Sequence, residues 1–353
     1  MLPSTLFRIE NRIRLITPRL LKKKYFFLMR AFLRMISDRI LCEQKLRGVL
    51  FATHYKCNFN CRHCYEKHFY NTNEEPLSIE EKKKIIAECL NMGVITIEFV
   101  GGETTLYPEL PELVKACKPY KTFISLATNG FDYDEERIRN LLDIGVDKLS
   151  ISIDSWFPEQ HDDFRRKQGA HASAFKTLDM CRKLGMGVHI GMVVCKNSTK
   201  TESFQRMVRF SIENRISLGL IPAVPLGNWQ GNNDVLITPD DRKVMDELHA
   251  KYSFITSDNY DNRNGGCPAF NEVITVTAFG DVLPCDFIHI SFGNLRRESL
   301  KSIIKKGRSI KCFDGRYDGC LAAEDNLFQR KYLSKTFGAY PYPVRAKDIF
   351  EEF

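Results

Sequence analysis

From residue 49 onward the chain alternates short apolar runs with longer segments whose apolar positions recur at helical spacing. Residues 49–55, 95–100, 123–127, 148–154, 188–194 and 216–224 read as strands, and 78–92, 134–144 and 203–214 as helices, with a further helix ending near Gly185. Strands alternating with helices imply a parallel sheet joined by right-handed crossovers. The pattern changes after Gly231, so six β–α units are expected rather than eight. Beyond it, Thr238-Pro239 opens another helix, with Thr238 as N-cap. Residues 272–277 and 281–285 then form a hairpin around Ala278-Phe279-Gly280, and a helix follows near 299–306. The expected divisions are an arm (1–48), a body (49–235), a second region (236–330) and a tail (331–353). Tyr340-Pro341-Tyr342-Pro343 makes the tail look like a packing strap or partner contact.

Charge separates the arm from the rest. The net charge of the 353 residues is +8, yet residues 1–48 hold 12 Lys or Arg against 3 Asp or Glu. What remains is 40 basic against 41 acidic residues, which gives no sign of a nucleic-acid-binding face. Arginines interrupt every apolar run of the arm, so neither a membrane span nor a signal peptide fits. Two readings stay open: a helix lying on an anionic membrane surface, or one packed on the body under its own Lys and Arg stems. RNA or an acidic partner is a third. Cys42 would be an acylation site only by its place in the arm. The expected location is cytoplasmic, with peripheral contact at the inner membrane surface through residues 1–48.

Twelve cysteines in such a chain read as metal ligands and reduced thiols rather than a disulfide framework. Cys57, Cys61 and Cys64 stand in a CxxxCxxC loop just after the first strand. Three thiolates can hold three irons of a [4Fe–4S] cube and leave the fourth open, whereas electron carriers use four cysteines. The plainer alternative is zinc, with His63 or His68 as fourth ligand. Gly101-Gly102-Glu103 follows the second strand; two glycines let backbone come close to a bound molecule, with amides free to face it. Cys89, Cys117, Cys181 and Cys195 fall inside helix or strand patterns and read as core, as do Met192, Val194, Val224 and Leu226.

The cysteine loop and the Gly-Gly-Glu turn together resemble the radical S-adenosylmethionine (radical SAM) superfamily over about residues 49–230. The resemblance implies an α/β fold: a partial (β/α)6 barrel with a small C-terminal α+β extension. It implies a [4Fe–4S] cluster on Cys57, Cys61 and Cys64, chelated by S-adenosylmethionine. The cofactor's amino group would meet Gly101, Gly102 and Glu103. Thr128, Asn129, Ser152 and Asp154 lie at strand ends where the family binds cofactor, ribose or substrate. Arg165 resembles an arginine that pairs with the cofactor carboxylate, although Arg166 stands where relatives often have glycine. His63 takes an aromatic's place and would flank the adenine.

Cys267, Cys285, Cys312 and Cys320 resemble the SPASM/Twitch extension, with its G-x4-C element at Gly280–Cys285. One auxiliary [4Fe–4S] cluster is expected, with Cys312 the weakest ligand candidate and His289 or Asp286 as substitutes. The implied chemistry is reductive cleavage of S-adenosylmethionine to a 5′-deoxyadenosyl radical, which takes hydrogen from a substrate. A one-electron donor such as flavodoxin or ferredoxin is implied. A small-molecule, lipid or peptide substrate stays open; an arm of only 48 residues weighs against the peptide. The competing reading is a non-catalytic iron–sulfur electron-transfer protein, which has no use for an amino-acid clamp.

Overall fold

A computed structural model of the chain describes residues 24–41, 46–71, 74–257, 266–314, 317–351 and 353. Six strands lie side by side, all parallel: β1 (Gly48–Ala52), β2 (Thr96–Val100), β3 (Phe123–Thr128), β4 (Lys148–Ser152), β5 (Gly187–Val194) and β6 (Ser217–Pro222). Between them run α2 (Ile79–Asn91), α3 (Leu110–Ala116), α4 (Glu135–Ile144), α5 (Pro158–Arg165), α6 (Ala170–Leu184) and α7 (Glu202–Asn214). Alternation along the strands divides the sheet into two faces. Phe51, Ile97, Phe99, Ile124, Leu149 and Ile190 are buried on the face under the helices. Glu98, Ser150, Ser152, His189 and Ser217 stand on the other face, and each is only half-buried. A parallel sheet packed on both faces would carry apolar residues on both, so this polar concave face is built to meet solvent or a ligand.

Local chemistry explains the element ends. Ser78 caps α2 and Glu81 reaches back to the Ser78 N–H, a reciprocal capping box. Asp134 caps α4, and Gly145 ends it with a left-handed residue. Cys89, Cys117 and Cys181 are buried in the apolar core, as are Met192, Val194, Val224 and Leu226. Cys195 is only half-buried.

The sheet runs further than six strands at both edges. After α8 (Pro239–Lys251), the two-residue β7 (Ile255–Thr256) pairs parallel with β6. A run that short leaves no periodicity to read. At the opposite edge β8 (Val273–Val276) pairs parallel with β1, placing Gly48 beside Val273, and β9 (Val282–Leu283) returns antiparallel to β8. The expected hairpin exists, but it completes the main sheet rather than standing apart from it. The order is β7-β6-β5-β4-β3-β2-β1-β8-β9, an open barrel with β7 and β9 at its edges.

The rest of the C-terminal region holds β10 (Ile290–Ser291), α9 (Leu300–Ser309), α10 (Leu321–Glu324), α11 (Asn326–Lys331) and β11 (Val344–Arg345). Parallel pairing of β11 with β10 ties the tail down, and Tyr342 and Phe350 are buried.

Part of the arm packs on the body. Ahead of α1 (Tyr25–Leu41), Lys24 is buried; its ammonium donates to the Thr122 carbonyl at 2.7 Å and pairs with Asp147. Phe27 lies 5.8 Å from the Phe123 ring, and Arg30 donates to the Lys121 carbonyl at 3.1 Å. All these partners stand at the amino ends of β3 and β4. Tyr25, Phe26, Phe32 and Leu33 remain exposed. The readings made of residues 1–23 and of Cys42 lie outside the described residues. Among the described residues, no helix is long and apolar enough to cross a membrane.

Candidate functional site

Cys57, Cys61 and Cys64 lie in the loop leaving the carboxyl end of β1, and neighbouring loops grip that segment from several sides. The Gly102 N–H donates to His54 O at 2.8 Å and the Glu103 N–H to Lys56 O at 3.0 Å. A Cβ on Gly101 would stand 2.2 Å from His54 O, and one on Gly102 2.1 Å from Lys56 O. The two glycines therefore let the second loop lie flat against the cysteine loop. This corrects the expectation that the amides of this turn face a cofactor, since those of Gly102 and Glu103 are committed to backbone carbonyls.

Gly227-Asn228, beyond β6, grips the same segment and escaped the sequence reading. The Asn228 N–H donates to Cys64 O at 3.0 Å and its side-chain amide to Cys61 O at 2.8 Å. A Cβ on Gly227 would meet Cys64 O at 2.0 Å. The only signal in the sequence was a Gly-Asn pair after a strand, which reads as an ordinary turn.

Burial pushes the Cys57 thiol up to about 11 and Cys64 up to about 12, with neighbouring acidic groups adding to both. Such thiols become thiolates when a cation lies beside them, which is what metal binding supplies. Among the described residues, no three His, Cys, Asp or Glu side chains converge as a single metal ion requires. In a cube each thiolate takes a different iron, so a loop of three spaced thiols fits a cluster better than zinc.

Glu103 is buried at 2% exposure, its carboxylate set against the end of β3. It accepts from the Thr128 hydroxyl at 2.8 Å, the Asn129 N–H at 2.8 Å and the Thr105 hydroxyl at 2.7 Å. Asn129 in turn donates from its side chain to Asn58, inside the cysteine loop, at 2.7 Å. Thr128 and Asn129 thus orient Glu103 and the cysteine loop. Ser152 is half-buried at the end of β4, beside Gly191.

Asp154 and Arg165 meet each other. The Arg165 Nε donates to Asp154 at 2.6 Å, and its Nη1 lies 3.8 Å from the Cys61 sulfur. The other Asp154 oxygen accepts the Val193 N–H at 3.1 Å. Burial works against the Asp154 carboxylate, but the Arg165 guanidinium, His63, His161 and the Val193 N–H together outweigh it and hold the carboxyl below its usual range. Asp154, expected to meet ribose or substrate, instead fixes the arginine; Arg165 keeps only part of its donor fork for a carboxylate ligand. His63 stacks on Phe164 at 4.5 Å with Trp229 at 5.8 Å. Burial, then the nearby Arg165, lowers its pKa to about 3, so the ring is neutral. Its Nδ1 is buried with no hydrogen-bond partner among the described residues. An aromatic slot with an orphaned ring nitrogen fits a heteroaromatic ligand such as adenine.

Cys267, Cys285 and Cys320 converge at the end of the β8–β9 hairpin. Burial drives the Cys285 thiol far up, and Cys267 and Cys320 add to it as neighbouring negative groups. The Cys267 N–H donates to Tyr317 O at 2.9 Å, which ties it to the segment leading to Cys320. Cys312 is half-buried, in a turn after α9. The suggested substitute ligands are otherwise engaged. Asp286 accepts from Thr275 at 2.8 Å and Tyr65 at 3.1 Å, while His289 meets Tyr342 through Nδ1 and the Asp286 carbonyl through Nε2.

Residues 52–210 match the radical SAM superfamily model, and residues 267–325 match the SPASM iron–sulfur cluster-binding domain. The chain carries a radical SAM domain and a C-terminal SPASM domain. The first implies a [4Fe–4S] cluster and S-adenosylmethionine as cofactors, and the second implies auxiliary iron–sulfur binding. The chain is 29% identical to the subtilosin biosynthesis protein AlbA of Bacillus subtilis over 277 residues, 72% of this chain and 58% of AlbA. It therefore spans less than two thirds of that relative's length. It is 24% identical to the PqqA peptide cyclase of Rhizobium meliloti over 279 residues, 74% of each chain. Among solved structures, Streptococcus suis SuiB bound to its precursor peptide SuiA shares the fold at a TM-score of 0.59 and 16% identity, over 78% of this chain and 69% of SuiB.

Proposed function

We propose that the chain is a radical SAM enzyme that modifies a peptide by hydrogen abstraction, assisted by an auxiliary cluster. The observation that carries this reading is the loop of Cys57, Cys61 and Cys64 at the carboxyl end of β1, braced by the turns after β2 and β6, in a chain whose further cysteines Cys267 and Cys285 flank the hairpin paired with β1. When bound, the first cluster supplies the electron that splits a C–S bond of S-adenosylmethionine, giving methionine and a 5′-deoxyadenosyl radical.

The protein's own part is holding and excluding. Cys57, Cys61 and Cys64 hold three irons, and Asn228, Asn129 and the Gly-Gly-Glu turn keep their loop in one shape. Glu103 receives the cofactor's amino group, for which its present donors have already oriented the carboxylate. Arg165 offers its remaining donors to the cofactor carboxylate and lies within reach of a cluster-ligand sulfur, a contact that tunes potential. His63, Phe164 and Trp229 form the slot for the adenine. The concave face with Ser150, Ser152 and His189 receives the substrate, and exclusion of water there protects a reactive radical.

A peptide is preferred because the relatives include a bacteriocin biosynthesis protein and a peptide cyclase, and a fold neighbour holds a precursor peptide. A lipid is disfavoured, because α1 packs at the amino ends of β3 and β4 and the loop of Cys57, Cys61 and Cys64 lies at the carboxyl end of β1. Flavodoxin or ferredoxin fits the need for a one-electron donor.

Iron analysis tests the reading. Anaerobic reconstitution should give about eight irons per chain, as two [4Fe–4S] units. Replacing Cys57, Cys61 and Cys64 together with alanine should leave about four and abolish cofactor cleavage. A triple variant that keeps both iron and cleavage would refute the proposal, and saturation of the wild type at four irons would remove the auxiliary cluster.

A further inference from the structure

Exposed large apolar side chains are not scattered over this molecule. Ten stand out among the described residues, and six of them, Tyr25, Phe26, Met29, Phe32, Leu33 and Tyr120, belong to two neighbouring elements. The first five lie on α1; at about 100° per residue they fall within an arc of roughly 120°. Phe27 and Ala31, on the opposite side of the helix, are less exposed. Tyr120 belongs to a tight turn, Lys118–Lys121, closed by the Lys121 N–H donating to Lys118 O at 3.0 Å. The Phe26 and Tyr120 rings meet edge to face at 6.3 Å, and the Arg30 guanidinium holds the helix to the Lys121 carbonyl at 3.1 Å. Helix and turn therefore present one aromatic surface.

Soluble proteins rarely leave such a patch bare, and the charge around it says what covers it. Residues 22–36 hold five Lys or Arg and residues 113–122 hold three Lys, with no Asp or Glu in either segment. A second copy of the chain would bring the same sign of charge to the face and be repelled. Residues 1–23 carry six Lys or Arg against one Glu, so that segment is no better matched. Anionic lipid headgroups supply the missing sign. Phenylalanine and leucine then enter the acyl boundary while tyrosine sits at headgroup level.

We propose that α1 and the Lys118–Lys121 turn dock the protein on an anionic lipid surface, with the helix axis in the plane of the interface. α1 packs at the amino ends of β3 and β4, and the loop of Cys57, Cys61 and Cys64 lies at the carboxyl end of β1. Docking thus leaves the cysteine loop turned away from the lipid, open to a substrate arriving from the aqueous side.

Co-sedimentation of the full chain with vesicles tests it, using phosphatidylcholine alone or mixed with phosphatidylglycerol. At low salt the mixed vesicles should bind about tenfold or more tightly than the neutral ones, and high salt should weaken that binding. The Phe26→Ser/Phe32→Ser/Leu33→Ser variant should lose about tenfold or more of the affinity, with iron content and S-adenosylmethionine cleavage unchanged. In a separate Phe32→Trp variant the new indole should shift to the blue on mixed vesicles and be quenched by brominated lipid. A full chain that ignores mixed vesicles at low salt overturns the proposal. Equal binding to neutral vesicles does so too, as does a triple variant that binds like the wild type. Self-association abolished by the same substitutions, without vesicle binding, assigns the face to a second copy instead. Should the triple variant aggregate, the quenching of the Phe32→Trp indole decides alone.

Discussion

At the scale of single residues the site is held by side chains that each do two jobs. Glu103 joins the turn after β2 to the end of β3, and its orientation is set before any ligand arrives. Glu103→Gln puts an amide donor where hydroxyl and N–H donors already point. The expected result is a loss of about 1.5–3 kcal/mol, roughly 10- to 150-fold, in S-adenosylmethionine affinity by calorimetry, with iron content unchanged. Unchanged affinity would move the amino-group clamp elsewhere. Gly227→Ala tests the grip that the sequence concealed. Its Cβ has no room against Cys64 O, so iron retention should fall and urea stability drop by about 1–3 kcal/mol. A variant with full iron content would show that the Gly227 contact is dispensable. The cysteines were legible because cluster ligation imposes their spacing. Gly227 and Asn228 were not, because a clamp on cysteines as far as 167 positions away leaves no local pattern.

Elements were legible in proportion to their length and their caps. The Ser78–Glu81 box and the periodicity behind it announce α2, and Asp134 announces α4. The sequence reading passed over α3 and α5, each of eight residues or fewer with proline in the first turn, and over β7. The docking of α1 was undecidable from its pattern, since an amphipathic basic helix suits a membrane and a protein surface alike. Lys24 settles the matter for the start of the helix. Lys24→Met deprives the buried Asp147 carboxylate of that cation, so stability in urea should fall by about 3–5 kcal/mol, with little dependence on salt. A change under 1 kcal/mol would mean that the helix merely rests on the body. Contact with anionic vesicles through residues 1–48 is a separate matter. Co-sedimentation at low salt that is lost at high salt would support it.

For the molecule as a whole, buried histidines set the response to acid. Burial, with Lys148 adding to it, lowers the pKa of His189 to about 3, and burial does the same to His289. The unfolded chain takes up these protons near the ordinary value of about 6.5, whereas the folded chain does not until far lower. Folding therefore excludes protons, and stability present above about pH 6.5 is lost as pH falls towards 3. Each histidine contributes about 1.4 kcal/mol per pH unit in that window. Each such histidine should thus cost iron-free protein about 1 kcal/mol in urea between pH 6.5 and 5.5, and His189→Asn should remove its own share of the slope. An unchanged slope in the variant would mean that other groups dominate.

The pairing of β8 with β1 also has a consequence in time. β1 must wait for residue 273 before its second neighbour exists. At about 5–20 residues per second, the 225 residues from Gly48 to Val273 take roughly 10–45 s to appear. Throughout that interval β1 carries a bare edge, the kind of template on which chains aggregate, and the cysteine loop hangs from its end. Recombinant yield should therefore respond to slow growth and to chaperones more than to iron supply, since the metal has no finished cradle until the last third of the chain has emerged.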